Sequence, residues 1–349
     1  MKYTCIDSFS GAGGLSLGLT EAGFEILYSF DLDESSVKTQ KSNLKYFKHT
    51  AECKDITKIN SKNLMKQLGI KKGELTLFAG GPPCQGFSIQ RIGKDNDERN
   101  NLVFEYMKKV AEFLPNYFLM ENVPGITGKR GKKILEEAIS YAEAKGYSIH
   151  RKIIDAQDYG VPQRRKRLII VGERLEKSKI KFEFPKPIKQ KKTVREVIAH
   201  LPKPPTDGTD HKDVFLHRSD KLSKINIERI KFLKPGQGRE FLPDNLLADC
   251  HKINSSIIGH RNVYGRMHWD DVAPTITARF DSFTRGLFGH PEQNRSISLR
   301  EGALLQTFPM DFIFCGNKVD IARQIGNAVP PKLAYEIGRK IIDSISHDV

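Results

Sequence analysis

Residues 1–185 alternate short apolar runs with segments of helical period, and several of the runs end in glycine, proline or a polar pair. That alternation leaves room for little except a mostly parallel sheet with helices packed against it. The spacing predicts strands near 3–9, 25–30, 75–79, 116–121, 148–154 and 167–173, and helices near 13–23, 33–44, 103–113 and 131–145. From Pro185-Lys186-Pro187 the pattern turns irregular and rich in proline, through Pro202, Pro204, Pro205 and Pro235-Gly236, until order returns near residue 320. The expectation is an α/β protein in two parts. A sheet domain over 1–185 is completed by 320–349, and a smaller, loop-rich domain occupies 186–319.

Open α/β sheets gather their chemistry at the carboxyl ends of strands. The run Leu75 to Ala79 ends there in Gly80-Gly81-Pro82-Pro83-Cys84-Gln85-Gly86-Phe87-Ser88. Glycine permits backbone angles other residues avoid, and proline fixes φ, so the turn is a stiff mount for one thiol. A lone cysteine is most often a small buried hydrophobe; this mount favours a nucleophile. A second apolar run leads into Glu121-Asn122-Val123-Pro124-Gly125, which puts Glu121 on the same sheet edge. Thiol and carboxyl could then serve as nucleophile and acid, against the plainer reading of a solvated carboxylate at a strand end. Gln163-Arg164-Arg165-Lys166-Arg167 precedes the strand Leu168 to Val171, and alternation sends Arg165 and Arg167 to one face. Guanidinium groups there could orient a carbonyl or meet phosphate; a solvated basic edge is the plainer reading.

Between the first strand and first helix lies Asp7-Ser8-Phe9-Ser10-Gly11-Ala12-Gly13-Gly14. Its G-x-G-G spacing is neither the dinucleotide G-x-G-x-x-G nor a P-loop, and no lysine follows to meet a phosphate. The second strand ends at Asp31-Leu32-Asp33, where a carboxylate suits a ribose diol, and Asp55-Ile56 could meet an adenine edge. Together they suggest an adenosine cofactor held without phosphate contacts; singly, such acids are more often helix caps. Net charge is +15, from 57 Lys+Arg against 42 Asp+Glu, which favours a polyanionic partner, most simply nucleic acid. The five cysteines, at 5, 53, 84, 250 and 315, are scattered and lack metal spacing. With no H-x-x-x-H pair, no metal site is expected, and a reducing cytoplasm is. No apolar run approaches a membrane span, and the N-terminus carries no signal-peptide pattern.

These four motifs, in this order, resemble the DNA (cytosine-5) methyltransferase family. Leu299 to Pro309 is similar to the family's R-E-x-x-R-x-Q-x-F-P segment, and Gln324-Ile325-Gly326-Asn327-Ala328-Val329-Pro330 to its last motif. The match is collinear over residues 4–335. The resemblance implies a Rossmann-like S-adenosylmethionine-dependent methyltransferase sheet with a smaller target-recognition domain, of bacterial or phage restriction-modification type. It implies S-adenosyl-L-methionine lined by Phe9, Gly11, Gly13 and Gly14, with its ribose on Asp31 and its adenine near Leu32, Asp55 and Ile56. Pro82, Asn327 and Val329 would close that pocket. Cys84 would attack C6 of a flipped cytosine, Glu121 would act at N3, Arg167 would hold the O2 side, and Arg165 would help position base and acid. Double-stranded DNA would be met by Gln85 and Ser88 beside the thiol, and by Arg261, Arg266, Thr277, Arg279 and Arg285 in the second domain. A monomer, and a cognate restriction endonuclease acting on the same site, complete the expectation.

Leu32 departs from the family's usual aromatic at that position, and Leu304 replaces an arginine. The RNA-directed branch of the family is the near rival. The insert over 186–300 argues for DNA, since reading base edges takes extra elements. An amino-directed DNA methyltransferase would carry D/N-P-P-Y/F in place of Gly81-Pro82-Pro83-Cys84, and a dehydrogenase would carry G-x-G-x-x-G. A catalytically dead DNA-binding module is the rival from another class, disfavoured by Cys84, Glu121 and Arg167 standing together.

Overall fold

The computed structural model describes residues 2–83, 102–129, 131–176, 181–249 and 263–346. Its seven strands are β1 (Tyr3–Ser8), β2 (Phe24–Asp31), β3 (Thr50–Cys53), β4 (Leu77–Gly80), β5 (Tyr117–Asn122), β6 (Tyr147–Asp155) and β7 (Lys166–Arg174). They form one sheet in the order β3-β2-β1-β4-β5-β7-β6. The pairs from β3 through β5 are parallel. β7 runs antiparallel to both β5 and β6, so Asp155 and Lys166 return to the edge where β4 and β5 end. β3 has four residues, of which only Ala51 is buried; too little apolar signal marks it in the sequence.

Alternation along the strands splits the core between the two faces. Phe78, Phe118, Met120, Leu168 and Ile170 face one side with Tyr28 and Phe113. Leu77, Leu119, Ile169 and Val171 face the other, with Leu15, Leu19 and Ile337. Helices α1 (Gly14–Ala22), α2 (Glu34–Ser42), α3 (Ser61–Leu68), α4 (Leu102–Phe113) and α5 (Lys132–Glu143) follow the strands. Helix α1 packs on the helix Pro331–Ser346 so closely that a Cβ on Gly18 would stand 2.1 Å from the Pro331 carbonyl oxygen. Late residues thus pack against the first helix of the early sheet.

A third core joins Ala12, Leu17 and Phe47 to Trp269, Ile276, Phe280, Phe308 and Phe312, and to Ile321 and Ile325. It cuts across the sequence division at 319/320. A small fourth cluster, Ile230, Leu233, Leu242, Leu246 and Phe283, belongs to the loop-rich part alone. Among the described residues no helix is long and apolar enough to cross a membrane, and no His/Cys/Asp/Glu group could hold a metal ion.

Candidate active site

At the end of β4 only glycine fits. A Cβ on Gly80 would lie 2.3 Å from Ser8 Oγ and 2.7 Å from Ser8 O, so β1 and β4 close tightly there. Gly81 follows, its Cβ position 3.3 Å from Glu121 Oε2. The Asn122 side-chain amide donates to the Pro82 carbonyl at 3.0 Å, while its own oxygen accepts from Val123 N–H at 2.9 Å. The segment that leads to Cys84 is therefore pinned beside Glu121. Cys84 itself, with Gln85, Ser88 and Arg261, lies outside the described residues.

Glu121 does not stand alone. Arg167 Nε donates to its Oε1 at 2.6 Å, with both side chains largely buried, and Arg167 Nη1 donates to the Lys166 carbonyl at 2.7 Å. Arg165 goes elsewhere, a correction to the expectation that it helps position base and acid. It is 1% exposed, Nη1 donates to Ile276 O, and Nη2 donates to Gly326 O and Ala328 O, each at 2.9 Å. Its three acceptors belong to two distant segments, so it is a tie between them. Burial, reinforced by the Arg167 charge, pushes its pKa well down. Gln163, fully buried, does similar work: its amide nitrogen donates to Leu305 O at 3.0 Å and Gln306 Oε1 at 2.6 Å, and its oxygen accepts from Ile276 N–H at 3.0 Å. The Q-x-R-x-R segment thus spends two side chains on architecture and one on Glu121.

The glycine turn sits between β1 and α1. Phe9, Gly11 and Gly13 all take positive φ, at 53°, 52° and 88°. A Cβ on Gly13 would stand 2.6 Å from Phe47 Cζ, and one on Gly14 2.3 Å from Val329 O. A Cβ on Gly11 would meet nothing within 4 Å, so the turn presents open backbone on that side. Asp31 closes the turn from β2: Oδ2 accepts from Gly11 N–H and Oδ1 from Asp33 N–H, both at 2.8 Å. Burial pushes its carboxyl above the usual range. Beside it Leu32 is 70% exposed, an apolar side chain left at the rim where a purine could lie against it. Asp55 caps the short turn Ile56–Lys58 through Thr57 N–H at 2.9 Å, and Ile56 is buried beneath it. Val329 meets Gly14, and exposed Asn327 adjoins it. An open glycine turn, a carboxylate at the next strand end and an exposed apolar rim fit an adenosine-bearing group.

Asp7 was not singled out in the sequence. It is fully buried, Oδ2 accepts from Ser16 Oγ at 2.6 Å, and Oδ1 has no partner. Burial pushes its carboxyl up to about 7. Nothing in an Asp-Ser-Phe string separates such an acid from a solvated one.

In the loop-rich part, Thr277, Arg279 and Arg285 are exposed, and Arg279 pairs with Asp281 at 3.3 Å. Arg266 is a second correction: it is buried and does not reach outward. Nε donates to Ile230 O at 3.0 Å and Leu233 O at 2.9 Å, and Nη1 to His290 O and Gln293 O at 2.8 Å. A guanidinium so engaged has too few donors left to read a base.

The profile of the C-5 cytosine-specific DNA methylase family matches residues 3–343. The Type II methyltransferase M1.HphI of Haemophilus parahaemolyticus is 34% identical over 346 residues, spanning 98% of this chain and 87% of its own length. The Type II methylase M.HgiDII of Herpetosiphon aurantiacus is 34% identical over 347 residues, spanning 98% and 95%. A solved structure from E. coli, described as a prophage-encoded DNA modification methyltransferase, superposes with a TM-score of 0.78 at 26% identity over 99% of both chains. Motif order, sheet order and these matches agree: the chain belongs to the C-5 cytosine-specific DNA methylase family and is a DNA cytosine-5 methyltransferase.

Proposed function

We propose that this enzyme methylates C5 of a cytosine flipped out of a specific double-stranded DNA sequence, through a covalent adduct between Cys84 and C6. S-adenosyl-L-methionine, when bound at the glycine turn, supplies an electrophilic methyl group on a sulfonium. The chain's own residues would do the rest. The Cys84 thiolate adds to C6 and pushes electron density toward N3 and O2. Glu121 shares a proton with N3, which makes C5 enamine-like and able to take the methyl. Arg167 holds Glu121 through Nε, leaving Nη2 as the donor proposed for O2. Loss of the C5 proton to water then expels Cys84 and restores the aromatic ring. The ring face is blocked by stacking in a duplex, so flipping is required, at a cost of a few kcal/mol.

The observation that carries this reading is the Glu121–Arg167 pair at the sheet edge, with Asn122 clamping the Pro82 carbonyl two residues before Cys84. Thr277, Arg279 and Arg285, with Gln85, Ser88 and Arg261, are the proposed DNA contacts. We further read the protein as a monomeric modification enzyme of a restriction-modification system, working in the cytoplasm opposite an endonuclease of the same specificity; its relatives are Type II methyltransferases.

The test is transfer of a labelled methyl from S-adenosylmethionine to mixed-sequence DNA, with bulk tRNA in parallel and Cys84→Ala as control. Label recovered as 5-methylcytosine in DNA, and lost in the variant, is the expected result. An active Cys84→Ala protein overturns the covalent mechanism, and label in tRNA alone moves the enzyme to the RNA branch.

A further inference from the structure

We propose that Gln40 is a positioning residue for the cofactor turn, acting through the Gly11 carbonyl. The inference rests on the cofactor reading above. Gln40 projects from α2 beneath the turn and is 1% exposed. Its amide nitrogen donates to Gly11 O at 2.7 Å and to Ser10 Oγ at 2.9 Å. Its oxygen accepts from Ser29 Oγ at 2.8 Å. His49 Nε2 lies 2.9 Å from the same Ser29 oxygen.

Proton counting fixes the direction of this chain. Gly11 O can only accept, so Gln40 must turn its NH2 toward the turn and its oxygen toward Ser29. Ser29 has one hydroxyl hydrogen, and it is spent on Gln40. His49 must then donate from Nε2, which a neutral ring can do as the Nε2–H tautomer. Burial holds His49 at about 4, so the ring is neutral at working pH. Donors therefore run one way, from His49 to Ser29 to Gln40 to the turn. Gly11 is gripped on both sides, its N–H by Asp31 and its C=O by Gln40. Gly11 holds φ at +52° with open space above it, a conformation with no side chain of its own to anchor it. The grip from below sets how the open backbone faces a ligand.

Gln40→Glu tests this with almost no change of shape. It sets a carboxylate oxygen against Gly11 O in place of a donor. The expected result is S-adenosylhomocysteine binding weakened about 10- to 100-fold by calorimetry, with DNA affinity unchanged. A merely structural role would lower both affinities and thermal stability together. Ser29→Ala is the gentler variant, removing the hydroxyl that aims the amide; it should weaken the same binding about 3- to 10-fold while the protein stays folded. A folded Gln40→Glu protein that binds S-adenosylhomocysteine within about twofold of wild type overturns the inference. So does a Ser29→Ala protein that loses DNA and cofactor binding alike. Wild type that fails to bind S-adenosylhomocysteine removes the cofactor reading, and this inference with it.

Discussion

Arg165→Met separates a structural arginine from a catalytic one. In the fold Arg165 makes three charge-assisted bonds to the carbonyls of Ile276, Gly326 and Ala328. Such bonds contribute roughly 1.5–3 kcal/mol each, and burying the guanidinium costs several kcal/mol in return. Methionine removes both terms, so the carbonyls left behind decide the sign. Ala328 O keeps a long contact from Gln306 Nε2 at 3.5 Å. The carbonyls of Ile276 and Gly326 lose this donor, at roughly 1–3 kcal/mol apiece. The net is a destabilisation of about 3 kcal/mol, which for a protein of this size lowers Tm by about 4 °C. Urea unfolding should show a lower midpoint at unchanged slope, and residual methylation below the transition should persist. Arg167→Met should instead remove activity even well below its unfolding transition, because it takes the donor from Glu121. An Arg165→Met protein with Tm within about 2 °C of wild type and no methylation would refute the reasoning.

Three further outcomes are expected. Glu121→Gln should slow methylation about 10²- to 10⁴-fold while S-adenosylhomocysteine binding, measured by calorimetry, stays near wild type; unimpaired single-turnover rates would remove Glu121 from the chemistry. Gly18→Ala drives a methyl toward the Pro331 carbonyl, and should cost about 1–3 kcal/mol by overpacking in thermal unfolding; an unchanged Tm would mean the helix Pro331–Ser346 shifts freely. Asp7 keeps a proton in the fold up to about pH 7 that the unfolded chain releases near its ordinary 3.8, so its contribution to stability falls as pH rises across that window. Asp7→Asn should match wild type below about pH 4 and exceed it by up to ~4 kcal/mol above pH 7; parallel stability curves would show that Asp7 does not titrate there.

Long apolar runs were readable because burial on both faces leaves an unbroken signature: β4, β5 and β7 all show it. β3 left almost none, since it is a four-residue edge with one buried side chain. The reversal of β7 was invisible too, because strand direction depends on how a hairpin closes, not on the residues in it. The site divided in the same way. Gly80, Gly14 and Glu121 could be placed because backbone geometry and strand ends constrain them. Arg165 and Arg266 could not, because one letter covers a guanidinium in solvent and one wrapped in carbonyls. The settings of Asp7 and Gln40 were illegible for the converse reason: their partners are brought in from other strands and helices.

The contact between Gly14 and Val329 also imposes an order of events on synthesis. Domains emerge from the ribosome amino end first, so the glycine turn is made long before the wall that closes it. A growing chain can lay down β1 to β7 and still lack the Asn327–Val329 return and the helix that braces α1. Such a chain would hold its sheet with an unfinished pocket. With the cofactor held at the glycine turn as proposed, its binding would wait until translation has passed residue 329, and a prematurely terminated copy would be unable to mark DNA.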